Sequence, residues 1–221
     1  MITVSELFDL TKTIASELFA GKTYPWEALD EIKPFIYRLG ETLDPAEYDH
    51  PSDGVWIARD AKVFPSAYIG APCIIDRGAE VRHGAFIRGS AIVGKNAVVG
   101  NSVELKNVVL FDGVQTPHYN YVGDSVLGYK AHMGAGSVTS NVKSDKSPVV
   151  VHAPGEDFPT HRKKLGAMLG DCAEVGCNSV LNPGTVVCRR SNIYPTSSVR
   201  GVVPEDCIYK GKGDVVKKSF F

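Results

Sequence analysis

His118 stands in a short stretch, Pro117-His118-Tyr119-Asn120, where an otherwise regular pattern of residues loses its count. Imidazole titrates near neutral pH, so a histidine on a loop beside a bound substrate can serve as a general base. An ordinary surface histidine is the other reading of that position. Two cations, Arg88 and Lys106, lie 18 residues apart. If 18 residues make one turn of a coil, they stack about one strand spacing (~4.8 Å) apart. Two cations that close repel unless an anion lies between them, as a phosphate does. The competing reading is a solvated basic corner, with Glu104 neutralising Lys106.

The five cysteines, Cys73, Cys172, Cys177, Cys188 and Cys207, are odd in number and form no CxxC pair. Reduced thiols in a cytoplasmic protein fit that usage better than a disulfide framework. Apolar residues make up 43% of the chain and charged ones 22%, with a net charge of −1. That balance fits a soluble protein and gives no bulk attraction for nucleic acid or an anionic membrane. Glu6 and Asp9 interrupt the apolar residues at the amino terminus, unlike a signal peptide. No apolar run approaches the ~20 residues that cross a bilayer. The expectation is a cytoplasmic protein with neither membrane nor nucleic-acid partner.

The elements that must position these residues announce themselves by period. Aliphatic residues recur every six positions: Ile57, Val63, Ile69, Ile75, Val81, Ile87, Val93, Val99 and Leu105, followed by Phe111. Four places after each stands a small or β-branched residue, as at Ala61, Ala67, Cys73, Ala79 and Ala85. The register resumes at Tyr121, Leu127, Met133 and Thr139, then at Leu169, Val175, Leu181, Val187, Ile193 and Val199. Six residues make one strand and one corner, and three such units make a coil that buries its apolar face against its neighbours. The fold is therefore mainly β, a parallel β-helix. Two interruptions are expected to project as loops: four extra residues, 117–120, and a longer segment, Ser140 to Arg162.

Residues 1–50 do not follow the period. Thr3-Val4-Ser5-Glu6 has the form of a capping box, and Leu7, Phe8, Leu10, Thr11, Ile14, Leu18 and Phe19 follow at helical spacing. A second helix is expected to open at Pro25-Trp26, bend at Pro34 and end at Gly40. The predicted organisation is a helical cap over the open end of the coil, 1–50, and a β-helix domain, 51–221.

Several stretches resemble the acetyltransferase domain of bifunctional bacterial N-acetylglucosamine-1-phosphate uridyltransferases. They are Val103-Glu104-Leu105-Lys106, His118-Tyr119-Asn120-Tyr121-Val122-Gly123-Asp124, Met133-Gly134-Ala135-Gly136-Ser137, and Asn141. The resemblance covers roughly Arg88 to Val187. It implies a left-handed coil and a homotrimer with acetyl-CoA clefts between neighbouring coils. It implies that His118 is the general base, oriented by Glu104, and that Arg88 and Lys106 hold the phosphate of a sugar-phosphate acceptor. It implies that Tyr121 touches the sugar, and that Ala135, Asn141 and Cys177 lie along acetyl-CoA.

The chain departs from that pattern at three places. His132 stands where the family has an asparagine that contacts the acceptor. Val142 replaces a tyrosine, and the segment after it is longer, which leaves Lys163 or Lys164 as the matching lysine. The nucleotidyltransferase domain has no counterpart, so the reading is an N-acetyltransferase without it, acting on a phosphorylated amino sugar (glucosamine-1-phosphate-like) or a nucleotide amino sugar. Two rivals use the same coil. A zinc-dependent carbonic anhydrase needs converging histidines, but five residues after His118 stands Gly123. A scaffold or regulatory domain needs no chemistry at all, and no metal site is expected on the main reading.

Overall fold

The computed structural model describes residues 2–219, so the last two residues of the expected 51–221 unit lie outside it. Short strands wind into a three-faced prism. The first face carries Val55–Ala58, Cys73–Ile75, Ala91–Val93, Ala167–Leu169, Thr185–Val187 and Val202–Val203. The second carries Lys62–Val63, Glu80–Val81, Val98–Asn101, Gln115–His118, His132–Met133, Glu174–Val175 and Asn192–Ile193. The third carries Tyr68–Ile69, Phe86–Ile87, Val138–Thr139, Val180–Leu181 and Ser198–Val199. Two long strands, Glu104–Leu110 and Tyr121–Leu127, run round the corner from the third face onto the first.

The six-residue reading of the sequence holds, because equivalent aliphatics pair in register: Ile57, Ile75, Val93 and Leu110 on the first face, Val63, Val81 and Val99 on the second. From Ile75 onward these inward residues are fully buried.

One part of the register differs from expectation. The inward residues are Leu110 and Val122, where the count had placed Phe111 and Tyr121. No four-residue loop projects at 117–120. Two repeats are five residues long instead, Leu105 to Leu110 and Val122 to Leu127. Asn107 (φ 55°) and Asp124 (φ 49°) turn these tight corners in the left-handed region that short polar side chains tolerate. Phe111 is buried, but against Phe8 and Phe19 of the amino-terminal segment, at ring separations of 5.1 and 5.7 Å.

The amino-terminal residues do not close the end of the coil. They lie along its first face, in contact with its strands, and share one core with it. The expected first helix is only Val4–Leu7, followed by 3-10 turns at Leu10–Lys12 and Ser16–Phe19. The second is a 3-10 turn, Pro25–Ala28, then an α-helix, Ile32–Gly40, with Pro34 in its first turn and no bend there. The coil takes the backbone groups that a helix would have used: Leu7 O accepts from Asp171 N at 3.0 Å and Lys12 O from Asp112 N at 3.0 Å.

The second interruption does project. Thr139 and Leu181 are partners one turn apart in space but 42 apart in sequence. The extra residues form an antiparallel hairpin, Val150–Ala153 with Glu156–Pro159, which folds back over the lower first face. Gly201 is required there: its φ is 76°, and a Cβ would sit 2.7 Å from His152 O. Among the described residues no helix is long and apolar enough to cross a membrane.

Candidate functional site

The corner between the second and third faces gathers three of the residues singled out in the sequence. His118 ends its strand opposite Asn101. The next turn brings Ala135, with Gly136 N donating to His118 O at 3.0 Å, and the turn after brings Cys177, with Asn178 N donating to Ala135 O at 2.9 Å. His118 and Cys177 are exposed, and the imidazole of His118 makes no hydrogen bond among the described residues. Rigid strands hold this column, and its close spacing depends on Gly100, where a Cβ would fall 1.7 Å from Pro117 O. Tyr119 follows His118 at φ 52° and is 63% exposed.

Asn120 fixes the turn. It is buried, accepts from His118 N at 3.2 Å, and donates to Gly134 O at 2.9 Å and Ser137 O at 3.0 Å. His118 is thus held by the frame of the coil and not by a loose loop.

The polar residues of the third face form a separate group. Arg88 and Lys106 are in register on adjacent turns, as their spacing required, but they do not share an anion gap. Arg88 Nη1 lies 2.9 Å from Glu104 Oε1. Lys106 Nζ lies 3.0 and 3.1 Å from the two oxygens of Asp124. Each cation already has its carboxylate. Glu104 makes no hydrogen bond to His118 among the described residues and is paired with Arg88 instead.

Asp124 had been quoted in the sequence without a role. It is buried and also accepts from Asn107 Nδ2 at 3.0 Å and Asn141 Nδ2 at 2.6 Å. The two five-residue repeats hid it, because they shift the count between Leu105 and Leu127. Asn141 further donates to the Tyr121 hydroxyl at 3.2 Å, leaving that phenol proton free to donate outward. Burial first, then the charges of Asp124 and Glu104, push Tyr121 above its ordinary value, so it is a neutral phenol near pH 7. Asn141 is therefore placed with Tyr121 and Asp124, away from Ala135 and Cys177.

His132 lies on the second face, 3.8 Å from Glu174 Oε2 and in register with Gln115. It is not brought beside Tyr121. His83 shares the His118 corner two turns above, with Nδ1 at 2.9 Å from Ser66 Oγ, while His152 pairs with Asp157 at 2.7 Å on the hairpin. Among the described residues no cluster of three or more His, Cys, Asp or Glu could hold a metal.

The chain is similar to several known proteins. The bifunctional protein GlmU of Methanococcus maripaludis is 32% identical over 117 residues, 52% of this chain and 28% of that protein. A bifunctional sugar-1-phosphate nucleotidylyltransferase/acetyltransferase of Sulfurisphaera tokodaii is 36% identical over 97 residues, 44% of this chain and 24% of that one. The chain thus spans about a quarter of the length of these curated relatives. Among solved structures, the acetyltransferase domain of PglB from Neisseria gonorrhoeae in complex with acetyl coenzyme A aligns over 75% of this chain and 58% of that one, at 15% identity and a TM-score of 0.34. The family described as the GMPPB C-terminal domain matches residues 69–193, which take in the whole of both residue groups above, and the chain belongs to that family.

Proposed function

We propose that the protein is an acetyl-CoA-dependent N-acetyltransferase acting on an amino sugar that carries a phosphate. The observation that carries this reading is the column His118–Ala135–Cys177, exposed at His118 and Cys177 and half-buried at Ala135, in which a histidine whose ring makes no hydrogen bond among the described residues stands on a rigid corner in line with two small residues. Small side chains leave room for an extended ligand along the corner. An ammonium is no nucleophile, so it first gives one proton to solvent, and His118 takes a second from the amine as its nitrogen attacks the thioester carbonyl. The C–N bond forms, the C–S bond breaks, and the proton held by His118 passes to the departing thiolate, leaving amide and thiol.

Arg88 and Tyr121 offer the acceptor a cation and a phenol donor, while His132 stands apart from them on the second face. The acceptor's phosphate meets Arg88 by exchange with Glu104, and reaches Lys106 only where Asp124 releases it. The protein acts as a homotrimer in the cytoplasm. Its third face has an outward column of Tyr68, Phe86, Glu104, Tyr121, Val138 and Val180, of which Tyr68 is 60% and Phe86 43% exposed. A second copy on that face turns the shallow corner into the concave site that two substrates need.

The ion pairs Arg88–Glu104 and Lys106–Asp124 favour the non-catalytic reading, because they leave no bare anion site on the third face. Assaying a panel of amino sugars with and without phosphate, using acetyl-CoA and both wild type and Arg88→Ala, separates the two. Transfer to phosphorylated sugars that falls in Arg88→Ala supports the proposal. Acetyl-CoA binding without transfer to any sugar leaves a scaffold.

A further inference from the structure

The amino-terminal segment lies along the first face, so the first turn of the coil keeps an open end. Only Tyr48–Ser52 pairs above it, on Val55–Ala58 of the first face. On the second face the sheet stops at Lys62–Val63, whose upper edge has no strand partner among the described residues. The cost shows in the core. Ala61, Val63, Ala67 and Ile69 of this turn are only half-buried, whereas Ala79, Val81, Ala85 and Ile87, one turn below, are at most 1% exposed. End units of a solenoid need something to cover them.

At the other end, the second face finishes on an antiparallel hairpin, Cys207–Gly211 with Asp214–Lys217, and the outer edge of Asp214–Lys217 is likewise unpaired among the described residues. Tyr209 is in register with Ile193, and Val215 stands directly opposite Tyr209, so Val215 lies on the inward side; it is 40% exposed. One inward column therefore starts at Val63 and finishes at Val215, half open at both ends. The charges of the two ends are opposite. Glu41, Asp44, Asp53 and Asp60 beside the first turn are exposed, with no cation within ion-pair distance among the described residues, while Arg59 pairs with Asp49 and Arg77 with Glu47. On the hairpin Lys210, Lys212 and Lys217 are exposed and equally unpaired, against the one carboxylate of Asp214. Charged residues at an edge ordinarily block strand addition. Here they block only like ends, because acid repels acid and base repels base, whereas an acidic end attracts a basic one.

We infer that copies of this chain associate head to tail, with the open first turn of one seated on the Cys207–Lys217 hairpin of the next. The second-face sheet then runs on from copy to copy, and Val215 meets Val63 at the seam. Two different patches make this contact, so it does not close on itself and grows into a filament. It uses neither the outward column of the third face nor the His118 corner, and it is independent of acetyl transfer.

Sedimentation velocity of the full chain, from about 10 μM to 1 mM, provides the test, with electron microscopy of the same samples. In about 10 mM salt, wild type should keep gaining mass with concentration and form filaments. In about 1 M salt the growth should stop at a closed size, because the screening length falls from ~30 Å to ~3 Å, while apolar contact between third faces persists. A head variant, Glu41→Lys/Asp53→Lys, and a tail variant, Lys212→Glu/Lys217→Glu, should each lose the growth. Their equimolar mixture should recover pairs but no filaments, since only the unaltered head and the unaltered tail remain complementary. Val215→Lys separates the seam from bulk charge: it makes the hairpin more basic, yet should abolish growth by placing an ammonium in the apolar column. All five side chains are exposed, so the variants should fold, and circular dichroism checks that they do. A wild type whose mass does not rise with concentration in low salt overturns the contact. So does growth that persists unchanged in either double variant or in Val215→Lys, or a mixture that recovers no pairs.

Discussion

The first and third faces of the coil are built from the same kind of strand and meet opposite fates. On the first, outward residues Ile74, Ile92, Val109, Val126, Met168 and Val186 are as buried as the inward ones, because the amino-terminal segment and the hairpin lie over them. On the third, outward Tyr68, Phe86 and Val180 stand open. Burying an aliphatic or aromatic side chain stabilises by roughly 1.5–3 kcal/mol, so the chain covers one apolar face itself and leaves the other available to a second copy. The His118 corner borders the open face. The difference teaches that the appendages complete the fold on one face, while the face beside the His118 corner is left uncovered within the chain.

The sharpest way to break this comparison is one substitution made on both faces. Ile92→Asp places a charge among fully buried aliphatics and should cost more than about 4 kcal/mol, enough to prevent folding. Phe86→Asp should change the stability of the isolated chain by less than about 1 kcal/mol and abolish association. Urea titration and light scattering read the two effects. A wild type that is monomeric at high concentration would sink the idea that the open face is an interface.

At the corner itself, His118→Ala should lower acetyl transfer by ~10²–10⁴-fold with acetyl-CoA affinity nearly unchanged. The side chain is exposed, and the turn is held by its backbone through Asn120 and Gly136, so the melting temperature should stay within a few degrees. Activity that survives with an intact pH profile means another group is the base.

The sequence made the coil legible because inward aliphatics repeat at a fixed interval, and no other fold demands that interval. It misled at Phe111 and Tyr121, two large residues that lie one place off the true register and disguise two five-residue repeats as a four-residue insertion. That slip removed Asp124 from view, and with it the neutralisation of Lys106. It also made His118 look like a loop residue. The column of His118, Ala135 and Cys177 was accessible only through family resemblance, since neither of their separations, 17 and 42 residues, is the 18 of one regular turn. The amino-terminal segment has helical spacing from Leu7 to Phe19, yet Asp9 turns back to cap Thr11 N and the coil claims the carbonyls of Leu7 and Lys12. Tertiary hydrogen bonds outweighed a propensity worth only tenths of a kcal/mol per residue.

The covered face has its own weak points. Asp171 accepts from Asp9 N at 2.7 Å and from Tyr129 N at 2.8 Å, so it fastens the amino-terminal segment to the coil. Asp171→Ala strips both donors of their partner and should cost about 2–4 kcal/mol in urea unfolding. Asp171→Asn keeps one acceptor and should cost about half of that. A loss under about 0.5 kcal/mol for the alanine variant means that Phe8 against Phe111 does the fastening alone.

The smallest effect distinguishes the two carboxylates that hold this same segment, because pH should act on them with opposite sign. The Arg162 guanidinium keeps Asp30 below the ordinary carboxylate value. Its contribution is complete above the unfolded value and is lost as the pH falls through the depressed folded one. Asp30 is 80% exposed, so screening leaves the pair about 0.5 kcal/mol or less. Burial pushes Asp171 the other way, above the ordinary carboxylate value. Its ionisation costs the folded state nothing below the unfolded value and costs it fully above the raised folded one. Denaturation midpoints taken between about pH 7 and pH 3 should therefore show Asp30→Asn converging on wild type as the pH falls, while Asp171→Asn diverges from it. If both variants move in the same direction, the two carboxylates do not differ in the way their surroundings dictate, and the division between a solvent-facing clasp and a buried fastener fails.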